Sequence, residues 1–266
     1  MKGDIVLIPL YSSSEGNSTL VKVNGHSILI DLGKNCKQCT IALQKAGVYP
    51  DDIEAIFLTH QHSDHISGVN VFMRKHSTPV YGTAPTLKRV GEAPAGLFHP
   101  IEEKSVTDFP EFSMRVLSYP TYHDTVGSVI YRVENTRTNK SVCVMTDLGV
   151  VTDGMLEFCN GCNGGLFESN YDLYMLDNGP YDYMLKKRIK GNGGHISNDE
   201  CGQLIEFLLA GGTDKFILGH ISPHNNTPYI ARNTVVTYLK DKGYIEGTDY
   251  EIQTASRFGP VEGIEI

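Results

Sequence analysis

Apolar positions along this chain follow two alternating rhythms. Short β-rich runs are interleaved with stretches of helical spacing. "IVLIPLYS" predicts a strand and is followed by the polar loop "SSSEGNS". "TLVKV" and "HSILIDL" flank Asn24-Gly25, the strongest short hairpin signal. "CKQCTIALQKAG" has helical spacing and ends on Gly47. "AIFLT" is a buried-type strand, "SGVNVFMRKH" predicts a helix, and "PVYGT" another strand. The second half repeats the logic. "SMRVLSYPT", "SVIYRVEN" and "KSVCVMTD" predict strands, the last two joined by the turn "TRTN", and "GGLFES" a short one. "SNDECGQLIEFLLAGG" predicts a helix that Ser197 and Glu200 open with a capping box. "KFILGH" predicts a strand, "PYIARNTVVTYLKDKG" a helix and "YEIQTAS" a closing strand. Residues 171–190 are ambiguous, because Gly179-Pro180 breaks two helical pieces.

Four predicted strands end on a metal-capable residue: His60, Asp147, Glu168 and His220. Strand ends in layered α/β folds meet along one rim, where ligands gather, so these ends suggest a shared site. The densest signal follows "AIFLT". "LTHQHSDHISG" sets His60, His62, Asp64 and His65 within six positions. A turn leaving a strand can aim His60 and His62 at one cation, and the opening turn of the next helix can aim Asp64 and His65 at a second. Imidazoles with carboxylates suit zinc, manganese or iron without a thiolate. Asp147 fits a bridging carboxylate, and His123 and His220 can complete one shell each. His26, His76, His99 and His224 have no partner pattern, and surface or loop roles are their default.

The 266 residues suffice for a substantial core, and no linker or low-complexity stretch divides them, so one domain over 1–266 is expected. The net charge of −8 argues against a basic coat for nonspecific polyanion binding, without excluding a local anion site. "KKRIK", 186–190, could track a phosphate backbone, but a solvated helix face is the commoner explanation. Likewise "SSSEGNS" could bring backbone N–H groups to a substrate, or be a flexible polar turn. The six cysteines include "CKQC" and "CNGC", which could together form a four-Cys zinc site; reduced cytosolic thiols are the plainer reading. The apolar run Ile5–Leu10 is short for a signal-peptide core and far short of a membrane span, so a cytoplasmic protein away from the membrane is expected.

"THQHSDH" resembles the HxHxDH signature of the metallo-β-lactamase superfamily, and His123, Asp147 and His220 follow in that family's order. "SSSEGNS", "YHDTVGSVIYRV", "TDLG", "ESNYD", "GGHISNDE" and "LGHISPHNNTP" narrow the likeness, nearly end to end, to its YycJ/WalJ group. The resemblance implies an α/β fold, a four-layer αββα sandwich of two similar halves. It implies two divalent metal ions per chain, Zn or Mn: one on His60, His62, His123 and Asp147, the other on Asp64, His65, Asp147 and His220. The activity it implies is phosphodiester hydrolysis by a hydroxide bridged between the metals, with a DNA exonuclease favoured. Asp64, Glu168 and His195 are the implied catalytic residues. Asp64 would orient the nucleophile, and His195, helped by Glu168, would stabilise or protonate the leaving oxygen; Glu168 could equally only orient its neighbours. The large nucleases of the superfamily carry an inserted domain between the bridging Asp and the last His. Here only the 72 residues 148–219 lie there, so no inserted second domain is expected. Rival readings are a phosphodiesterase for cyclic nucleotides or other small phosphodiesters, a thioesterase or lactonase on the same centre, and a non-enzymatic metal-bearing module. Dimers are common in the superfamily, which leaves a homodimer open.

Overall fold

Two sheets account for the strands of the computed structural model, which describes residues 4–266. Residues 1–3, with Lys2 and the first positions of the expected 1–266 domain, lie outside the described residues. Strands and helices are numbered in chain order. The first sheet runs β14 (Ile264–Glu265), β1 (Ile5–Tyr11), β2 (Ser18–Val23), β3 (His26–Ile30), β4 (Ile53–Phe57), β5 (Val80–Thr83) and β6 (Phe98–Ile101). The second runs β13 (Glu251–Thr254), β12 (Lys215–Gly219), β11 (Gly164–Glu168), β10 (Lys140–Met145), β9 (Val129–Asn135), β8 (Met114–Pro120) and β7 (Ser105–Phe109).

Each half follows the same plan. Antiparallel strands come first, and three parallel pairings follow: β3 to β6 in the first sheet, β10 to β13 in the second. The β2–β3 hairpin turns at Asn24 and Gly25, both at positive φ, as a two-residue loop between twisted strands requires. Parallel neighbours need crossovers. Helices α1 (Cys36–Lys45), α2 (Ser63–Ile66), α3 (Val69–His76) and α4 (Ala84–Val90) supply them in the first half. In the second they are α5 (Asp153–Cys159), α6 (Leu173–Asn178), α7 (Tyr183–Ile189), α8 (Asn198–Ala210) and α9 (Pro228–Asp241). Ser197 and Glu200 form the expected capping box on α8, and 171–190 resolves into α6 and α7 on either side of Gly179-Pro180.

Three apolar clusters define the layers. Ile5, Leu7, Val21, Ile28, Val116, Val144 and Ile217 fill the space between the sheets. Leu20, Leu29, Ile56, Leu43 and Phe72 join the outer face of the first sheet to its helices. Phe167, Phe216, Leu204, Ile205 and Val235 do the same for the second. The architecture is therefore an αββα sandwich. The two CxxC pairs fall in different clusters, Cys36 and Cys39 in the first half and Cys159 and Cys162 in the second, and all six cysteines are free and buried. A joint four-Cys site is thereby ruled out. Among the described residues no helix is long and apolar enough to cross a membrane.

Candidate metal centre

The parallel strands end on one rim where the sheets meet. β4 runs into Thr59 and His60, α2 carries Asp64 and His65, β10 leads to Asp147, β11 ends at Glu168 and β12 leads to His220. Asp147 (φ 61°) and His220 (φ 50°) both occupy the left-handed region. That conformation is strained for a residue with a side chain and characteristic of functional sites. Each turns its chain sharply at the rim and points a donor inward.

Two donor groups result. His60 Nε2 and His123 Nε2 lie 3.0 and 3.2 Å from His62 Nδ1, and His123 Nε2 is 3.8 Å from Asp147 Oδ1. On the other side, Asp147 Oδ2 is 3.2 Å from His65 Nε2 and 3.1 Å from His220 Nδ1, while Asp64 Oδ2 is 3.5 Å from His65 Nε2. All seven sequence-predicted ligands thus converge, and Asp147 presents one oxygen to each group. Among the described residues the buried Asp147 Oδ2 and His220 Nδ1 have no aligned hydrogen-bond partner. Buried polar atoms are rarely left so, and a cation between these donors would satisfy both. The donor set therefore fits divalent metal.

The outward Nδ1 atoms of His60, His65 and His123 each have a partner. Asp31 Oδ2 holds His65 Nδ1 at 2.7 Å, Thr59 Oγ1 lies 3.0 Å from His60 Nδ1, and Gly194 O is 3.1 Å from His123 Nδ1. Asp31 in turn accepts from Thr59 N and Thr59 Oγ1, each at 2.8 Å. With Nδ1 so engaged, His60, His65 and His123 present Nε2 to the centre. Burial disfavours charge throughout. At His60 it drives the pKa well below the usual histidine value, reinforced by the neighbouring His65. At His65 burial is outweighed by Asp147, Asp31 and Asp64, which hold the pKa well above that value. His220 is likewise raised, to about 9, by Asp147 against burial. Despite its burial, Asp147 is held well below the usual carboxylate range by His220 and His65. Protons on two imidazoles therefore balance the Asp147 carboxylate in the chain alone, and a bound cation would displace them.

Glu168 is fully buried. Its Oε1 lies 2.7 Å from His195 Nδ1, and its Oε2 accepts from the backbone N–H of Asp147 and, at 3.2 Å, of Leu148. It thus touches His195 and the Asp147 turn. His195 stacks on His220 at 5.1 Å and lines a 160 Å³ pocket with His123, Asp124, Asn170, Tyr181, Arg188 and Ser222. A larger cavity of 770 Å³ opens at the other end of the parallel strands, against Lys215 and Glu251. It has no histidine or cysteine in its lining.

Several residues here escaped the sequence reading. Asp31 is another strand-end acid, and Asp124 directly follows His123. Asn17, in "SSSEGNS", reaches Asp64 Oδ2 at 3.3 Å and His65 Nε2 at 3.0 Å, and its N–H donates to Asp64 O. Ser12 Oγ accepts from His220 N at 2.8 Å. Ser12, Ser13 and Asn17 are buried, so the loop clamps both ligand-bearing turns and is not a flexible polar turn. "KKRIK" is not simply a solvated face either. Lys186 donates to Asp177 O and Gly179 O, Lys190 pairs with Asp177, and Arg188 pairs with Asp124. Outside the centre, His26 pairs with Glu54, His76 with Asp51, and His99 stacks on Tyr81. His224 meets the pocket residue Tyr181 edge-on.

Residues 14–143 match the family described as the metallo-beta-lactamase superfamily. Over 253 residues the chain is 32% identical to "Exodeoxyribonuclease WalJ" of Streptococcus pneumoniae serotype 2 (strain D39 / NCTC 7466), covering 93% of both chains. It is 32% identical over 247 residues to "Exodeoxyribonuclease YycJ" of Bacillus anthracis, covering 91% of this chain and 92% of that one. Among solved structures, the metallo-beta-lactamase fold protein YhfI from Bacillus subtilis superposes with a TM-score of 0.69 at 15% identity, over 95% of this chain and 97% of that one.

Proposed function

Since the chain belongs to the metallo-β-lactamase superfamily, in the group of the WalJ and YycJ exodeoxyribonucleases, we propose that it is a two-metal phosphodiester hydrolase that degrades DNA from an end. The observation that carries this reading is the division of six donor residues around one carboxylate, Asp147. His60, His62, His123 and Asp147 would hold one cation, and Asp64, His65, Asp147 and His220 the other. When bound, the two cations would acidify an attacking water and neutralise charge on the phosphoryl oxygens.

The remaining work falls to the chain's own residues. Asp64, anchored by Asn17, orients the attacking water while serving its cation. His195 serves the opposite side of the phosphate. Its Nδ1 is held by Glu168 Oε1 at 2.7 Å, which leaves Nε2 to deliver a proton to the departing oxygen. Glu168 touches no substrate in this scheme; it fixes His195 and, through the Asp147 and Leu148 N–H groups, the bridging carboxylate. It is a positioning residue. Helices α5 to α8 with β11 and β12 fill the stretch from Asp147 to His220, which supports one domain without an inserted second one.

The test is degradation of end-labelled single- and double-stranded DNA with Mn²⁺, comparing wild type with Asp64→Ala. Stepwise loss from one end, abolished by the substitution, is the expected result. Absence of DNA cleavage with retained turnover of a cyclic nucleotide would replace DNA by a small phosphodiester. Cleavage that survives Asp64→Ala would sink the mechanism.

A further inference from the structure

We propose that Arg188 is an anion-binding residue of this centre, held in place by Asp124, and that it takes a phosphate of the bound nucleic acid next to the one being cleaved. The proposal rests on the hydrolase reading above and adds to it the group that grips the substrate outside the metal ligands.

Asp124 faces two ways. Its Oδ1 lies 3.3 Å from His62 Nε2 and 3.5 Å from His123 Nε2. Its Oδ2 accepts from Arg188 Nε at 2.7 Å and from Nη2. One carboxylate therefore ties the guanidinium to two histidines of the cluster. An isolated ion pair on a surface contributes only about 0–1 kcal/mol, and nothing about such a pair would require it to sit against metal-binding imidazoles. A guanidinium carries five N–H donors in a rigid plane. With Nε and Nη2 engaged on one oxygen, the Nη1 edge stays available, and such an edge matches the spacing of phosphate oxygens.

The backbone beneath Arg188 is fixed as well. Ile189 O accepts from His195 N at 2.8 Å, and Gly194 O lies 3.1 Å from His123 Nδ1. At Gly194 a Cβ would come within 2.1 Å of Ile189 O, so the end of α7 and the His195 segment touch backbone to backbone. Asp182 caps the start of α7 by accepting from Leu185 N at 2.9 Å. Among the described lysines and arginines, Arg188 alone lines the pocket that opens on His123 and His195. Its neighbours Lys186 and Lys190 are committed to Asp177 and Gly179. Lys187 lines a different hollow, with Tyr183 and Gly191. Arg188 therefore supplies this pocket with a permanent cation beyond its histidines. A single strand entering the centre would lay its neighbouring phosphate there.

The test is binding of a fluorescently labelled single-stranded oligonucleotide to the full chain by anisotropy in EDTA, across about 50 to 200 mM salt. Wild type is compared with Arg188→Gln, Arg188→Lys and, as a control, Lys187→Gln. Arg188 is exposed, so matching melting curves are expected for all four proteins. Arg188→Gln should weaken binding about tenfold and reduce the slope of log K against log salt by about 0.7, the effect of one lost single-strand phosphate contact. Arg188→Lys should restore the slope but not the full affinity, and Lys187→Gln should stay within about twofold of wild type. Equal effects of Arg188→Gln and Lys187→Gln, or none from either, would overturn the proposal. Hydrolysis of bis(4-nitrophenyl) phosphate with Mn²⁺ separates the two ideas. Turnover of this diester, with oligonucleotide binding indifferent to Arg188→Gln, removes Arg188 and leaves the hydrolase reading. Absence of turnover, with binding still lost in Arg188→Gln, removes the hydrolase reading and leaves an anion site.

Discussion

Gly33→Ala offers a test of how the rim is assembled, because the clash can be worked out in advance. Gly33 follows β3 and passes against the α2 turn that carries Asp64. A Cβ at Gly33 would lie 1.6 Å from Asp64 O, 2.3 Å from Asp64 C and 2.7 Å from Asn17 N, whereas ordinary contact begins at 3.4 Å. The shortfall against Asp64 O is 3.4 − 1.6, or 1.8 Å, and a Cβ fixed by its own backbone meets backbone there, so no rotamer can relieve it. The α2 turn must move away. That motion breaks the bond from Asn17 N to Asp64 O, now 2.7 Å, and stresses the one from Gly33 N to Asn17 O, also 2.7 Å. Two hydrogen bonds at about 1 kcal/mol each, with about 1–3 kcal/mol of overpacking strain, give a loss of about 3–5 kcal/mol. For a chain of this size that is a fall in melting temperature on the order of 5–10 °C. Function should suffer more, since a displacement of about 1 Å can cost about 100-fold in rate. Thermal melts, metal content after dialysis and turnover of bis(4-nitrophenyl) phosphate measure the three effects. Gly82→Ala is the control, because the same Cβ there meets nothing closer than 3.4 Å. A Gly33→Ala protein with melting, metal content and turnover all within error of Gly82→Ala would refute the reasoning.

Four further outcomes are expected. His195→Ala should retain its metal content and lose about 100- to 10,000-fold in turnover; undiminished turnover would remove its proton-delivery role. Glu168→Gln can offer its single carbonyl oxygen either to the N–H groups of Asp147 and Leu148 or to His195 Nδ1, and turns its NH2 toward the other side, at about 1–3 kcal/mol for each buried donor left unmade. Differential scanning fluorimetry should show a lower melting temperature, and turnover should fall in parallel with His195→Ala. Thr59→Val removes the hydroxyl between Asp31 and His60 Nδ1, and metal affinity should drop about 10- to 100-fold in competition with a fluorescent chelator. The metal-free chain should lose stability as pH rises. The folded pKa of His220, about 9, lies above the ordinary histidine value of 6.5. Its stabilising contribution is therefore complete below pH 6.5 and lost as pH passes through about 9. Over the same range the stabilisation added by Mn²⁺ should grow, because binding requires the proton to leave; a metal-free melting temperature constant across this range would contradict the His220–Asp147 geometry.

Much of this was legible in the sequence because it is local. Runs such as "AIFLT" and "KFILGH" record burial on both faces of a parallel strand, and HxHxDH compresses four ligands into one turn. What stayed hidden depends on long-range contact or on weak amphipathic signals. β6 and β7 have partly exposed residues throughout, and β14 is two residues long, so hydrophobic periodicity had little to register. Asp31 reaches His65 across 34 residues, Asn17 reaches Asp64 across 47, and Arg188 reaches Asp124 across 64. "YEIQTAS" does close the second sheet, but the chain then crosses to the first sheet and adds β14.

That crossing has a consequence for the nascent chain. β1, "IVLIPLY", is apolar, uncharged and leaves the ribosome long before β14 is made. One edge is soon covered by β2. The other is covered by β14 through the pairs Val6 with Glu265 and Leu7 with Ile264, and by Ile266 O, which accepts from Asp4 N and Ile5 N. Until β14 is made, β1 therefore presents an open, sticky border of the kind that recruits foreign strands. Only the synthesis of residues 264–266 closes it, so a ribosome stalled in α9 would display a first sheet complete but for one aggregation-prone margin.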